Sequence, residues 1–277
     1  MKKDGHTHTH YCPHGSIESV EEYIMQAIKQ GFTDYSITEH APLPTAFLKS
    51  AAGEQYAIDT AGMRIEDVPT YLTEMHDLKK KYASQINIHV GFEIDYAPGF
   101  EDWTSAFLNE FGPQTDDNIL SLHFLQGHGG WRAIDYCPED YKEGIVEYYG
   151  GFQQAQNAYL SLLLQSIKAD LGPYKPKRIG HITLCNKFER YFDEPTTFNE
   201  IGESYLNEIL QEMQQRQLSL DLNVAGLAKP YCLQTYPPLP IVEQAKQLGI
   251  NIVFGSDAHK SYEVGRYYDM VANYLID

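Results

Sequence analysis

The N-terminal segment contains a high density of imidazole groups. Four histidines fall within the twelve residues DGHTHTHYCPHG, which span positions 4–15. Because Thr, Tyr, Cys and Pro separate these histidines, we read the segment as native sequence rather than as a purification tag. Side chains at positions i and i+2 of a strand point to the same face, so His6 and His8 can bind one ion together. The segment therefore predicts metal-ion chemistry.

Further histidines and carboxylates lie within or directly after other predicted strands. These residues are Glu39, His40, Glu93, His123, His181, Asp257 and His259. In parallel α/β folds the carboxyl ends of the strands converge on one rim, so residues that are distant in sequence would meet there. Imidazole and carboxylate groups form a suitable ligand set for Zn²⁺, Mn²⁺ or Fe²⁺. A single histidine more often makes a structural hydrogen bond, but the set predicts a metal site.

Strand-like and helix-like segments alternate along the chain. The strand candidates are residues 4–8, 34–40, 86–95, 118–125, 178–184, 218–225 and 250–257, and the helix candidates are 19–31, 69–83, 101–111, 139–171, 199–216, 239–248 and 261–275. The clearest helix has a capping box formed by Ser19 and Glu22. Segments 41–66 and 126–137 are predicted to be irregular excursions. The alternation indicates a parallel α/β architecture, although a doubly wound sheet and a barrel give the same pattern.

The composition limits the classes of function. A length of 277 residues suits one (β/α) barrel, so we expect a single domain over residues 1–277. The 21 basic and 38 acidic residues give a formal net charge of −17, which disfavours binding to nucleic acid or to acidic membranes. The 4 cysteines form no CxxC pair and are expected to be free thiols. No segment predicts a signal peptide or a membrane span, so a cytoplasmic protein is expected.

Seven short motifs resemble those of the PHP family of metallohydrolases, which is named for polymerase and histidinol phosphatase. They are DGHTHT (4–9), CPHGS (12–16), ITEH (37–40), GFEID (91–95), SLHF (121–124), IGHITL (179–184) and GSDAH (255–259). The motifs occur in family order over nearly the whole chain. The segments 181–192 and 223–238 are similar to the histidinol-phosphate phosphatase branch. The resemblance implies an α/β fold, a distorted (β/α)7 barrel.

The resemblance also implies a site for three divalent ions of Zn, Fe or Mn. The first ion would be held by His6, His8, Glu93 and Asp257, the second by Glu93, His123 and His181, and the third by His14, His40 and His259. Glu93 would bridge the first two ions. All nine positions carry a suitable side chain, which favours a complete site.

Two positions depart from the family pattern. Motif two commonly reads TDH in the wider family, and here Glu39 takes the central place, where it would lie behind the ligands or contact the substrate. Ala228 stands where many relatives of this branch have Arg. Phosphate binding would then depend on another cation, and the candidates are Arg132, Lys187, Arg190 and Lys229. Each of these four, taken singly, is more typical of a surface charge.

The implied reaction is hydrolysis of L-histidinol phosphate to L-histidinol and phosphate, a stage of histidine synthesis. Clustered divalent ions can lower the pKa of a bound water from about 15.7 toward 7, and the hydroxide would attack phosphorus in line. Asp257, Glu39 or His128 could supply the leaving-group proton, and the sequence does not choose among them. Rival hypotheses are another phosphoesterase, acting on a small ester or a nucleotide phosphodiester, and a non-catalytic metal-binding module. The expected partner is a small phosphate ester, and a homo-oligomer stays open.

Overall fold

The computed structural model describes residues 2–275 and contains one parallel sheet and one small hairpin. The strands are β1 (Lys3–Asp4), β2 (Asp34–His40), β3 (Asn87–Asp95), β4 (Ile119–Ser121), β5 (Phe124–Gly127), β6 (Gly130–Ala133), β7 (Arg178–Ile179), β8 (Ser219–Asn223) and β9 (Ile252–Gly255). Seven of these strands pair in the order β1-β2-β3-β4-β7-β8-β9, and β5 pairs with β6. Neighbouring strands of the large sheet are parallel, while the hairpin is antiparallel.

The large sheet curls until its first and last strands meet. The Gly5 N–H donates to the Phe254 carbonyl at 2.7 Å, and the His8 N–H donates to the Ala258 carbonyl at 2.9 Å. A Cβ atom at Gly5 would overlap the guanidinium of Arg178, so only glycine lets β1 pass this close to it. The result is a nearly closed parallel barrel. The predicted distorted (β/α)7 barrel is therefore confirmed, and the doubly wound alternative is excluded.

Helices surround the barrel. Their bounds are α1 (Val20–Lys29), α2 (Thr45–Lys49), α3 (Gln55–Asp59), α4 (Val68–Tyr82), α5 (Glu101–Phe111), α6 (Pro138–Tyr141), α7 (Glu147–Tyr149), α8 (Phe152–Lys168), α9 (Glu200–Gln215), α10 (Leu239–Gln247) and α11 (Tyr268–Val271). Helix α1 begins as predicted, since the Ser19 N–H donates to Glu22 Oε2 at 2.8 Å. Its apolar stripe, which includes Tyr23 and Ile24, is fully buried.

The segment around β4 differs from the prediction. The strand expected over residues 118–125 ends at Ser121, because the backbone N–H of His123 turns to the Asp95 carboxylate at 2.9 Å. The segment 126–137, which was expected to be irregular, contributes most of the β5–β6 hairpin. Asp95, in the neighbouring strand β3, thus redirects the chain, and period-two patterns in the sequence do not predict such a contact.

Two long predicted helices are interrupted. The segment 139–171 contains a π-helical stretch at Lys142–Val146, and it then breaks at Gly150 and Gly151, whose φ angles of +83° and +148° favour glycine. The segment 261–275 forms only α11 and single 3₁₀ turns, because Gly265 and Tyr267 both have positive φ.

Two apolar clusters position the functional end of the barrel. The larger one joins the strands to the surrounding helices. The smaller one contains Leu43, Phe47 and Phe124, and it packs the 41–66 excursion against the β5–β6 hairpin. This excursion contains helices α2 and α3, and with the hairpin it forms a wall beside the carboxyl ends of β1–β3.

The remaining structural expectations concern the extent and environment of the chain. Met1, Ile276 and Asp277, which the predicted domain of residues 1–277 includes, lie outside the described residues. None of the helices within residues 2–275 combines the length and the apolar character needed to cross a bilayer. Cys12, Cys137, Cys185 and Cys232 are free thiols.

Candidate metal centre

The residues predicted at the strand ends meet at the carboxyl end of the barrel. His6 and His8 follow β1, His40 ends β2, and Asp257 follows β9. The parallel register of β2 and β3 sets His40 directly beside Glu93. Because these side chains come from neighbouring strands of one barrel, they form a cluster without any long loop to bring them together.

Glu93 is the carboxylate at the centre of this cluster, and it is only 2% exposed. Its Oε2 atom lies 3.3 Å from His6 Nε2, 3.5 Å from His8 Nε2 and 3.2 Å from His40 Nδ1. Three imidazole nitrogens therefore converge on one carboxylate oxygen.

The other oxygen of Glu93 faces a different set of residues. Oε1 lies 2.8 Å from His181 Nε2 and 3.6 Å from His123 Nε2. It also accepts a hydrogen bond from the Ser121 hydroxyl at 2.6 Å. A carboxylate whose two oxygens address separate groups of histidines has the arrangement needed to bridge two ions.

Asp257 adds a second carboxylate on the His6–His8 side. Its Oδ1 atom lies 3.1 Å from His8 Nε2 and 3.9 Å from His6 Nε2. The Asn223 amide donates to Asp257 Oδ2 at 3.1 Å and fixes the orientation of the carboxylate. Asp257 has a φ of +52°, a left-handed conformation that is costly for a residue other than glycine. Backbone strain of this kind is often found at functional sites.

His14 and His259 form a third group of ring nitrogens. The two Nε2 atoms lie 3.2 Å apart, and the His14 ring centroid is 5.0 Å from that of His40. His14 Nδ1 donates to the Thr60 carbonyl at 2.8 Å, so its proton is on Nδ1 and the lone pair of Nε2 points toward His259. An ion near both nitrogens would satisfy this arrangement.

Carboxylates behind the first two histidines fix their tautomers. His6 Nδ1 donates to Asp221 at 2.8 Å, and His8 Nδ1 donates to Glu39 at 3.3 Å. These bonds leave each Nε2 free to face the cluster, which is the arrangement found behind metal-binding histidines. Glu39 is completely buried and also accepts bonds from the backbone N–H and hydroxyl of Thr9. It therefore lies behind His8, one of the two positions expected from the sequence, and it is not among the described residues that line the cavity over the cluster.

A third pair of this kind orients His123. Its Nδ1 lies 3.0 Å from Asp95 Oδ1, so its Nε2 faces Glu93. The sequence reasoning missed Asp95, Asp221 and Asn223. Their signal was available: Asp95 lies two residues after Glu93, and Asp221 and Asn223 share one face of β8.

Several ring nitrogens in the cluster lack a hydrogen-bond partner. Among residues 2–275, the buried atoms of this kind on histidines are His6 Nε2, His8 Nε2, His40 Nδ1, His40 Nε2 and His181 Nδ1. Unpaired buried polar atoms are costly and rare in folded proteins. Burial and then the charge of His8 lower the pKa of His40 well below its ordinary value, so its ring is neutral, as a metal ligand must be.

The geometry therefore fits divalent ions. Among the described residues, three sets of side chains offer donor atoms that, within each set, lie no more than 4.8 Å apart. These sets are His6–His8–Glu93, His40–Glu93–His123 and His8–Cys12–His40–His259. Imidazole with carboxylate suits Zn²⁺, Fe²⁺ or Mn²⁺.

A cavity of about 470 Å³ opens over the cluster. Lys187 and Lys229 line it, as expected for phosphate-binding residues. Lys187 is 3.0 Å from Asp135, which also lines the cavity. Burial disfavours the ionised form of Asp135, but Lys187 and His123 outweigh it and hold the pKa of this carboxyl below its ordinary value. Burial, followed by the charge of Lys187, lowers the pKa of Lys229.

Three other predicted residues are not among the described residues that line the cavity. Arg132 donates to Asp140 at 2.6 Å, and Arg190 donates to the Cys232 carbonyl at 3.0 Å. His128 lies on the turn of the β5–β6 hairpin, and its ring packs edge-on against Tyr148 of α7. The structure thus places these three side chains outside the cavity. The cavity instead contains a cation that the sequence reasoning missed, Arg266.

Comparison with known proteins agrees with the class that this barrel and cluster define. The model of the PHP domain matches residues 4–225, and a PHP-associated model matches residues 241–276. The chain belongs to the PHP family, and the prediction made from its seven motifs is confirmed.

Individual relatives resemble the chain over nearly their whole length. The histidinol-phosphatase of Bacillus subtilis (strain 168) is 38% identical, and the match covers 97% of each chain. A solved structure from Listeria monocytogenes, assigned as a histidinol phosphatase, is 53% identical with a TM-score of 0.95, and the match covers 97% of this chain and 99% of that one. The histidinol phosphate phosphatase of Lactococcus lactis, solved with Zn, L-histidinol and phosphate, shares the fold at 18% identity with a TM-score of 0.71 and coverage of 100% and 94%.

Proposed function

We propose that this chain hydrolyses L-histidinol phosphate to L-histidinol and phosphate at a cluster of three divalent ions. The observation that carries the proposal is Glu93, a buried carboxylate whose two oxygens face separate groups of histidine nitrogens, those on the Oε2 side being without a hydrogen-bond partner. The Bacillus subtilis relative, whose match covers 97% of the chain, bears the name of this activity. The alternative of a metal-binding module without activity would not need a cavity lined by cations above the cluster.

Nine side chains would hold the ions. We assign His6, His8, Glu93 and Asp257 to the first ion, Glu93, His123 and His181 to the second, and His14, His40 and His259 to the third. The metal of the Lactococcus lactis structure supports Zn, while the mixture of imidazole and carboxylate ligands also suits Fe and Mn. When bound, such ions lower the pKa of a water and polarise the phosphoryl oxygens.

Lys229 is the protein cation that we assign to the phosphoryl group. It lines the cavity, and no ion pair involves it within residues 2–275, whereas Lys187 is paired with Asp135. The side chain is half-buried, which lowers the pKa of the ammonium, and an anion in the cavity gains more from a partly desolvated ammonium than from a solvated surface lysine. Lys229 thus supplies the charge that Ala228 does not.

Other cavity residues suit the rest of the substrate. The Asp135 carboxylate stays ionised and can accept the substrate ammonium group. The ring centroids of Tyr56, in α3, and Tyr136, in the segment after β6, lie 6.3 Å apart at the opening of the cavity, where the rings can pack on an imidazole ring. Asp257 is the candidate that remains for moving a proton to the leaving oxygen, because Glu39 and His128 do not line the cavity.

The setting of the reaction follows from the same proposal. A phosphatase of this kind would act in histidine synthesis in the cytoplasm, which the 4 free thiols support. The net charge of −17 disfavours a nucleic-acid substrate. A homo-oligomer stays a prediction.

The test is phosphate release by the metal-free protein after addition of Zn²⁺, Mn²⁺ or Fe²⁺. L-Histidinol phosphate is compared with other phosphomonoesters and with a phosphodiester. We expect a preference for L-histidinol phosphate that is lost in His123→Asn and Asp257→Asn but kept in the control His128→Asn, whose ring lies outside the cavity. Turnover of the diester alone would move the function to the rival phosphodiesterase. Bound metal without turnover of any ester would leave a binding module.

A further inference from the structure

A thiol lies beneath the turn that carries His14. Cys12 is 3% exposed, and its Sγ atom lies within 4.8 Å of a ring nitrogen on each of His8, His40 and His259. The sulfur is thus placed among the side chains assigned to the third ion, although no motif comparison suggested a role for it. The other described cysteines belong to no such donor set.

An independent observation indicates that this space is built for a ligand. His40 is 6% exposed, and both of its ring nitrogens lack a hydrogen-bond partner among residues 2–275. One of these nitrogens belongs to the donor set that includes Cys12. An imidazole buried without a partner for either nitrogen is costly unless an ion binds it.

His14 and Cys12 belong to one turn and differ in exposure. His14 is exposed and is tethered through Nδ1 to the Thr60 carbonyl. Cys12 is buried, and the bond from Gly15 N–H to the Cys12 carbonyl closes the turn at 2.9 Å. Four donors in a tetrahedral set are what a Zn²⁺ ion commonly takes, and this turn supplies His259 with an imidazole neighbour, His14, and a sulfur neighbour, Cys12.

We infer that Cys12 is a thiolate ligand of the third ion, together with His40 and His259, and that this position selects a thiophilic ion such as Zn²⁺ over Mn²⁺. The inference rests on the metal cluster of the proposed function. On binding, the S–H bond breaks, a sulfur–metal bond forms, and the proton leaves to solvent. Soft sulfur ligands disfavour Mn²⁺, which prefers oxygen, so the three positions would differ in the ions they accept.

The test is a titration of metal-free protein with Co²⁺. We expect a sulfur-to-cobalt charge-transfer band in the near ultraviolet that is absent in Cys12→Ser and kept in the matched control Cys137→Ser. In the Zn-loaded wild type, X-ray absorption should show a sulfur neighbour at about 2.3 Å beside nitrogen and oxygen at about 2.0–2.1 Å.

The wild-type measurement decides the question even if Cys12→Ser does not fold. A fully loaded wild type with only nitrogen and oxygen neighbours and no charge-transfer band overturns the inference. Phosphate release from L-histidinol phosphate by the same samples separates the two proposals. Turnover without a sulfur neighbour rejects the thiolate and keeps the phosphatase, whereas a sulfur neighbour without turnover of any phosphate ester rejects the phosphatase and keeps the thiolate.

Discussion

Each end of the barrel is organised around one carboxylate, which is half-buried at one end and fully buried at the other. At the amino ends of the strands, Asp117 accepts hydrogen bonds from the Lys3 ammonium at 2.7 Å and the Ser36 hydroxyl at 2.6 Å, and it lies 3.1 Å from the guanidinium of Arg178. At the carboxyl ends, Glu93 lies within 3.6 Å of five imidazole rings.

The two carboxylates differ in the groups that face them. The partners of Asp117 include two permanently charged cations, so the charge of this carboxylate is balanced within the protein. Three of the five imidazoles that face Glu93, those of His6, His8 and His123, have the proton of the other ring nitrogen held by a carboxylate, which leaves Nε2 as a lone-pair donor. The charge at the first end is balanced by protein cations, whereas the donors at the second end would be completed by bound cations. The following substitutions test this difference, starting with the largest expected effect.

Glu93→Gln should abolish turnover while Asp117→Asn should not. A neutral amide cannot bridge two cations, and Lewis-acid stabilisation of a phosphoryl group is worth several kcal/mol. A loss of about 4 kcal/mol corresponds to a decrease of about 10³-fold in kcat. The measurement is kcat for L-histidinol phosphate at saturating Zn²⁺, with bound metal counted in the same samples. Comparable losses in both variants would contradict the division of roles between the two ends.

Asp221→Asn should weaken metal binding by about 10–100-fold, the usual effect of changing a group behind a metal-binding histidine. Asp221 is fully buried and holds His6 Nδ1 at 2.8 Å. The matched control is Asp34→Asn, because Asp34 contacts His89 at 3.3 Å at the opposite end of the barrel. Competition with a chelator measures the affinity. Equal affinities in Asp221→Asn and Asp34→Asn would mean that the bond to His6 does not tune a ligand.

Asp117→Asn should reduce the free energy of unfolding by about 2 kcal/mol, because it leaves the buried Arg178 and the half-buried Lys3 without their counter-charge. Burial raises the pKa of Asp117, but Arg178 and Lys3 outweigh it and lower this pKa from 3.8 to about 2. The folded-state pKa is below the unfolded value, so the stabilisation is present above pH 3.8 and is lost as the pH falls toward 2.

Urea denaturation of wild type and Asp117→Asn between pH 5 and pH 2 measures this contribution. The difference between the two free energies of unfolding should shrink across the window from about pH 4 to 2. The exposed control Asp102→Asn should follow the wild type. A difference that is constant with pH would show that Asp117 contributes packing rather than charge.

The sequence predicted the barrel and the residues of the metal centre better than it predicted their supports. Parallel strands end on a common rim, so the clustering of these residues can be predicted from two features of the sequence. These are the alternation of His6 and His8 and the positions of Glu93 and Asp257 at strand ends. The residues that orient the histidines, in contrast, can be identified only from the tertiary structure. Asp221 is one of several alternating polar residues in β8, and nothing in the sequence singles it out until β8 is known to adjoin the strand that closes the barrel against His6.

The substrate-binding cations show the same limit. Arg132 and Lys187 are both close to predicted strand or loop ends, and nothing in their local sequence separates them. Asp140 binds Arg132 outside the cavity, while Asp135 holds Lys187 inside it. Which cation reaches the substrate thus depends on the position of a partner carboxylate, and this position follows from the hairpin that the sequence pattern did not reveal.

The smallest expected effect on activity comes from the exposed tyrosine rings at the opening of the cavity. Tyr56 and Tyr136 are 56% and 41% exposed, and both line the cavity. An aromatic contact with the substrate imidazole is worth about 1 kcal/mol, so Tyr136→Ala should raise KM for L-histidinol phosphate about fivefold with kcat unchanged.

The control for this substitution is Tyr148→Ala, which removes a ring of similar exposure that packs on His128 outside the cavity. A phosphate ester of an amino alcohol without a ring separates binding of the imidazole from binding of the phosphate. If Tyr136→Ala raises KM equally for both esters, the tyrosine shapes the cavity as a whole. If only L-histidinol phosphate is affected, the rings at the mouth recognise the substrate, while the histidines below them are left to bind the ions.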